Sequence, residues 1–260
     1  MKKVCVLLAD GFEEIEGLTV VDLLRRAKIY VDTVSIMDDY IVHGAHGINV
    51  QTEDLFDEVD FEEFDMVVLP GGMPGTLNLK EHDGVRYVVK QYAKEGRFVG
   101  AICAAPTILK SLGLLEGRRA TCYPGVEDEM ENVILTETAV VVDDNIITSQ
   151  GVGTAIDFAL KLIEVLISEE KAVEIAAELG GRGILLNVSG PFHSSLLKGA
   201  SEEFYETIKK VNINPLNKVV YSNTKGLPYD ENDDIRILLK NHIKSSVYFE
   251  KSEYIVCSEI

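Results

Sequence analysis

The chain has 260 residues, of which 46% are hydrophobic and 26% charged, as is ordinary for soluble globular proteins. Its formal net charge of −18 excludes partners that require a basic surface, namely nucleic acids and anionic membranes. The four cysteines lie far apart without metal-ligand spacing, which favours the reducing cytoplasm over a disulfide framework. The short apolar run at the N-terminus predicts a first strand rather than a signal peptide.

Charge is distributed unevenly between the two parts of the chain. Residues 1–181 carry 33 acidic and 15 basic side chains, whereas residues 182–260 carry ten of each. The change falls at Gly180-Gly181, and glycine is a common stop signal after a helix. We therefore expect two domains, residues 1–181 and 182–260.

Apolar periodicity predicts alternating strands and helices over residues 1–181. The expected strands are Lys3–Leu8, Tyr30–Met37, Asp65–Leu69 and Phe98–Ile102, with a short strand at Asn49–Thr52 and a hairpin formed by Ala139–Val142 and Ile146–Ser149. The expected helices are one that starts near Glu13, followed by Asp83–Glu95, Pro106–Leu112, Ala155–Ile167 and Glu170–Leu179. This alternation predicts an α/β fold, with a parallel sheet covered by helices on both faces.

Cys103 stands between a buried strand and Pro106, which suits the first turn of a helix. The positive end of the helix dipole favours thiolate over thiol, so we expect a Cys103 pKa below the usual value of about 8.5. The alternative is a small buried thiol that packs like an alanine, because free cysteines are among the most buried residues.

Two other groups follow strand ends, where sites in parallel sheets form. A glycine loop after Leu69 exposes backbone N–H groups that can hold an oxyanion, although a plain tight turn is equally expected. Glu13, Glu14 and Glu16 open the first helix, and such carboxylates usually stabilise the helix dipole. Three candidate elements at one edge of the sheet favour a catalytic Cys103.

Four motifs occur in order along residues 1–181: Ala9-Asp-Gly-Phe-Glu-Glu-Ile-Glu16, Leu69-Pro-Gly-Gly72, Ala101-Ile-Cys-Ala-Ala-Pro106 and Ser149-Gln-Gly-Val-Gly-Thr154. Together they resemble the ThiJ/PfpI superfamily, in the branch that contains the human Parkinson-disease deglycase. The resemblance implies a flavodoxin-like sheet sandwiched by helices, akin to class I glutamine amidotransferases. It also implies a homodimer formed through this domain.

The resemblance places a nucleophile at Cys103, an acid/base at Glu16 and oxyanion-binding amides at Gly72 and Ala104. It implies a cofactor-free and metal-free enzyme that acts on reactive carbonyls, either small aldehydes such as methylglyoxal or glycated proteins. A redox-sensing chaperone with little turnover is the alternative. Protease-like members carry histidine at the position of Ala104, and the human branch carries histidine where Tyr123 stands. We therefore expect neither peptidase activity nor a cysteine–histidine dyad.

The second segment carries a different motif, Leu186-Asn-Val-Ser-Gly-Pro-Phe-His-Ser-Ser-Leu-Leu197, which resembles malonyl-CoA:acyl carrier protein transacylases. In that family His193 is the catalytic base. The serine nucleophile motif Gly-His-Ser-x-Gly does not occur in this chain. A base without a nucleophile does not transfer acyl groups, so we expect residues 182–260 to be a partial α/β remnant without this activity.

Overall fold

The computed structural model of the chain describes residues 1–180, 198–214, 216, 219–222, 224–225, 227–230 and 233–244. It divides into two compact units, Met1–Leu185 and Leu186–Ile260, whereas the sequence predicted a boundary after residue 181. Within the described ranges, no helix has the length and apolarity needed to span a membrane.

A seven-stranded sheet forms the centre of the first unit. The strands of this unit are β1 (Lys3–Leu8), β2 (Tyr30–Ser35), β3 (Ile41–His43), β4 (Asn49–Gln51), β5 (Asp54–Leu55), β6 (Met66–Leu69), β7 (Phe98–Ile102), β8 (Arg119–Ala120), β9 (Ile134–Leu135), β10 (Val140–Asp143) and β11 (Ile146–Ser149). The central sheet has the order β10-β11-β7-β6-β1-β2-β5. All neighbours in it are parallel except β10 and β11, which form the predicted antiparallel hairpin.

Within residues 1–180, six α-helices flank this sheet: α1 (Glu14–Arg26), α2 (Gly75–Glu81), α3 (Asp83–Glu95), α4 (Pro106–Ser111), α5 (Ala155–Leu166) and α6 (Glu169–Glu178). Side chains alternate across each strand, so Val4 and Val6 pack into one core while Cys5 and Leu7 pack into the other. The first core includes residues of α1, α5 and α6, and the second includes residues of α3 and α4. The sheet is therefore buried on both faces, which confirms the predicted α/β sandwich.

Most predicted elements are confirmed, and Lys3–Leu8, Asp83–Glu95 and Phe98–Ile102 have the predicted bounds. The sequence analysis did not predict α2, because the first turn of this helix lies within the glycine loop, where the composition favours a turn. The antiparallel pair β3 and β4 was only half anticipated, since β4 was expected and β3 was not.

The second unit contains two helices, α7 (Lys198–Ile208) and α8 (Ile235–Lys244), within its described residues. The Ser201 hydroxyl donates to the Lys240 carbonyl at 2.7 Å, and the Lys240 ammonium lies 4.9 Å from the centre of the Tyr205 ring. Strands β12 (Tyr221–Ser222) and β13 (Leu227–Pro228) pair antiparallel. His193 and its motif lie outside the described residues, so the transacylase resemblance stays a prediction.

Candidate active site

Cys103 lies on a tight turn between β7 and α4. Its backbone has a φ of +65°, a left-handed conformation that side chains other than glycine rarely adopt. The Cys103 N–H donates to the Ser149 carbonyl at 3.0 Å, and the Cys103 carbonyl accepts from the Tyr123 N–H at 2.8 Å. Two neighbouring segments thus hold the residue in a strained conformation of the kind that clusters at functional sites.

The glycine loop after β6 approaches Cys103 closely. A Cβ placed on Gly71 would collide with the Cys103 side chain and lie 2.7 Å from Glu16 Oε2, so only glycine fits there. Gly72 has a φ of +93°, and a Cβ on it would collide with the backbone of Glu13. The Glu13 N–H donates to the Gly71 carbonyl at 2.9 Å, which joins this loop to the start of α1.

Glu16 lies in the first turn of α1, and its side chain is completely buried. Its Oε2 accepts a hydrogen bond from the Gly71 N–H at 2.8 Å, whereas Oε1 has no hydrogen-bonding partner in the described part of the chain. Burial raises the pKa of the Glu16 carboxyl to about 7, against the opposing effects of the Cys103 thiol and the Gly71 amide. A carboxyl with this pKa can both accept and donate a proton near neutrality.

The predicted low pKa of Cys103 is wrong. Burial, together with the adjacent Glu16 carboxylate, raises the pKa of the Cys103 thiol to about 12. The backbone amides of Gly72 and Ala104 oppose this rise by favouring negative charge on sulfur. The sequence argument considered the helix dipole and left out desolvation, which is the largest contribution here. The proton of the pair therefore resides on sulfur while Glu16 is ionised.

A cavity of about 600 Å³ opens onto Cys103 and Glu16. Gly72 and Ala104 line it together with those two residues, so all four residues implied by the resemblance share one site. A Cβ on Gly151 would lie 3.6 Å from Glu16 Oε1 and 3.8 Å from Cys103 Sγ. The unpartnered carboxyl oxygen and the thiol sulfur are thus close to the same point of the cavity wall.

Glu13, Glu14 and His46 bring one potential ligand atom each within 4.8 Å of one another, and among described residues they form the one such group that could hold a metal ion. Glu14 is buried and accepts hydrogen bonds from the His46 N–H at 2.7 Å and from its ring Nδ1 at 2.9 Å. These contacts hold the pKa of Glu14 at about 2, despite its burial. The Glu14 carboxylate thus fastens the loop that carries His46.

Four residues near the site have different surroundings. His43 and His46 are both exposed, and His46 is paired with Glu14. Glu13 and Tyr123 line the cavity, and the sequence assigned a site role to neither. Both come into the site through loop packing, for which no local sequence pattern exists.

Comparison with known proteins covers the same part of the chain. The profile of the DJ-1/PfpI family matches residues 2–165. Protein DJ-1 homolog B of Arabidopsis thaliana is 37% identical over 180 residues, which cover 68% of this chain and 41% of that relative, less than half its length. The glutathione-independent glyoxalase DJ-1 of Schizosaccharomyces pombe is 34% identical over 181 residues, which cover 66% of this chain and 94% of that protein.

A solved structure of oxidized Toxoplasma gondii DJ-1 superposes with a TM-score of 0.68 at 38% identity, covering 70% of this chain and 99% of that one. The fold, the order of the four motifs and the matched profile agree. The chain belongs to the DJ-1/PfpI family.

Proposed function

We propose that the protein is a glyoxalase-type enzyme that converts small α-oxoaldehydes, such as methylglyoxal and glyoxal, to α-hydroxy acids. One observation carries the proposal: a buried carboxyl with a pKa of about 7 lies beside a strained cysteine at the wall of an open cavity. The glyoxalase name of the Schizosaccharomyces pombe relative supports this choice of substrate.

In the first step, the Cys103 sulfur forms a bond to the aldehyde carbon of the substrate. The thiol proton passes to the ionised Glu16 carboxylate as the carbon–sulfur bond forms, so a free thiolate does not have to accumulate. The amides of Gly72 and Ala104, which already favour negative charge at the sulfur, stabilise the charge that develops on the substrate oxygen. Glu16 then returns this proton to the substrate oxygen, so the product of the step is a hemithioacetal and the Glu16 carboxylate is ionised again.

In the second step, Glu16 moves a proton from the former aldehyde carbon to the neighbouring carbon through an enediol. The first carbon is thereby oxidised to a thioester and the second is reduced to an alcohol, so no external oxidant or reductant takes part. Water then hydrolyses the thioester, which releases lactate from methylglyoxal, or glycolate from glyoxal, and restores the thiol. We assign this proton transfer to Glu16 Oε1, which has no hydrogen-bonding partner among the described residues.

The test is turnover of methylglyoxal by the whole chain and by Cys103→Ala, with Cys122→Ala as the matched control. Cys122 is buried and does not line the cavity. We expect Cys103→Ala to lose at least about a hundredfold in kcat/KM, the usual scale for a catalytic group, and Cys122→Ala to stay within about twofold. Equal activity in the two variants would overturn the proposal.

A redox-sensing role of the same cysteine is the second candidate. Cys103 is half-buried and faces the cavity, whereas Cys5 and Cys122 are buried. Peroxide therefore reaches Cys103 more readily than the other two. Absence of turnover in the unmodified chain, together with selective oxidation of Cys103, would favour this role.

A further inference from the structure

Large apolar residues make up much of the wall of the Cys103 cavity. Five of its lining residues, here called the apolar lining, have large apolar surfaces: Met73, Tyr123, Pro124, Val126 and Val152. None of the lining residues, all of which lie in the described part of the chain, is lysine, arginine or histidine. An anionic substituent on a bound molecule would therefore find no cationic partner in the wall.

The charge that does face the cavity is negative. Glu13 lines it, and its carboxylate also contributes to raising the pKa of Glu16. Among the described residues, Glu13 pairs with the imidazole of His46, whose Nδ1 lies 3.5 Å from a Glu13 carboxylate oxygen and 2.9 Å from a Glu14 carboxylate oxygen. One exposed imidazole is thus shared between Glu13 and Glu14, which leaves a net negative charge beside the cavity that Glu13 lines.

The volume of the cavity also limits which substrates fill it. The cavity volume of about 600 Å³ lies in the range that accommodates drug-sized ligands. A three-carbon dicarbonyl fills only a small part of such a space, so the apolar lining is available to a larger substituent. Burying an apolar group there is favourable in itself.

We propose that the Cys103 cavity selects carbonyl compounds with a bulky, uncharged apolar substituent and excludes those that carry a carboxylate or phosphate. This inference rests on the proposed function for its substrate class, an aryl or alkyl α-oxoaldehyde. Glu13 is the specificity-determining residue in this account, and the apolar lining, which includes Tyr123, binds the substituent.

Alkylation of Cys103 tests the selectivity without any turnover. Three reagents with the same leaving group differ in charge and apolar surface: iodoacetate, iodoacetamide and N-benzyl-iodoacetamide. Their rates are measured by peptide mass spectrometry at Cys103 and divided by their rates with a free thiol. We expect iodoacetate to be disfavoured by roughly tenfold against iodoacetamide, and the benzyl reagent to be the fastest.

Glu13→Gln is the test variant, and Glu81→Gln, an exposed glutamate that does not line the cavity, is the matched control. The first change should bring the iodoacetate rate close to the free-thiol ratio, and the second should leave it unchanged. Normalised rates that are equal for all three reagents in the unmodified chain would overturn the inference.

Turnover of phenylglyoxal and of 4-carboxyphenylglyoxal, which carries a carboxylate on the same ring, separates this inference from the proposed function. Preference for phenylglyoxal supports both. Absence of turnover with either compound, combined with the expected alkylation ratios, would contradict the proposed function and leave the selectivity of the cavity intact.

Discussion

The first unit contains two thiol–carboxyl pairs, and they differ in what surrounds them. Cys103 and Glu16 lie at the end of β7 and the start of α1, while Cys5 and Asp32 are register neighbours on β1 and β2. Both carboxyls are buried, both have pKa values raised to about 7 by burial, and each keeps one oxygen without a partner among described residues. In burial, pKa and hydrogen bonding, the Glu16 and Asp32 carboxyls are therefore alike.

The two pairs differ in the backbone conformation of the cysteine and in the access of substrate to its thiol. Cys103 has a left-handed backbone and lines an open cavity, whereas Cys5 is completely buried in a regular strand. The pKa of the Cys5 thiol is raised well above its ordinary value, first by burial and then by Asp32. A buried carboxyl with a raised pKa therefore indicates an active site only where a nucleophile and a cavity open to substrate lie beside it.

Exchange of the two carboxyls for amides gives the largest expected contrast. Glu16→Gln removes the acid/base group beside Cys103 and should lower kcat/KM for methylglyoxal by at least about a hundredfold. Asp32→Asn makes the same chemical change at the enclosed pair and should leave kcat/KM within about twofold. A loss of similar size in both variants would remove the functional distinction between the two pairs.

The pH profile should follow Glu16. Because its pKa is about 7 and the ionised form accepts the thiol proton, kcat/KM should rise with pH up to about 7 and level off above it. Below this value the rate should fall by about tenfold per pH unit, as the ionised fraction does. The residual activity of Glu16→Gln should lack this acidic limb, and an identical limb in that variant would assign the ionisation to another group.

The smallest expected effect is on stability at the enclosed pair. Burial and the neighbouring Asp54 raise the pKa of Asp32 from 3.8 to about 7, so the folded state binds a proton more tightly than the unfolded chain. This group therefore contributes stability at low pH that is lost as the pH rises from about 4 through about 7.

Asp32→Asn removes this loss, since an amide needs no proton to remain neutral. We expect its thermal midpoint to exceed that of the unmodified chain by a few degrees at pH 8, with a smaller difference at pH 5, as followed by circular dichroism. Asp38→Asn, at an exposed aspartate, serves as the control for a loss of surface charge. A midpoint for Asp32→Asn below that of the unmodified chain at pH 8 would contradict the assignment.

The elements of the first unit could be predicted because buried parallel strands and amphipathic helices leave continuous patterns. Phe98–Ile102 is a run of apolar or small residues, and Asp83–Glu95 places its buried residues on one helical face. Helix α2 begins inside a glycine loop, where local composition favours a turn. Its formation depends on packing that the sequence pattern does not display.

The candidate site was predictable where a residue follows a strand end. Cys103 and the glycines at 71 and 72 were found in this way, while the role of Glu16 came from the family resemblance, because a carboxylate in a first helical turn ordinarily serves the dipole. Burial of the pair was not visible in sequence, so the direction of the Cys103 pKa was predicted wrongly. The contribution of Glu13 to the cavity depends on how two loops meet.

The most direct measurement of the central claim is detection of the covalent intermediate. The unmodified chain is incubated with methylglyoxal, quenched in acid during turnover so that the thioester is retained, and mapped by peptide mass spectrometry. The account predicts that the Cys103 peptide gains the mass of one methylglyoxal, whereas the peptides of Cys5 and Cys122 do not. An adduct on Cys5 or Cys122, or continued full turnover with no adduct on Cys103, would contradict the assignment of Cys103 as the nucleophile.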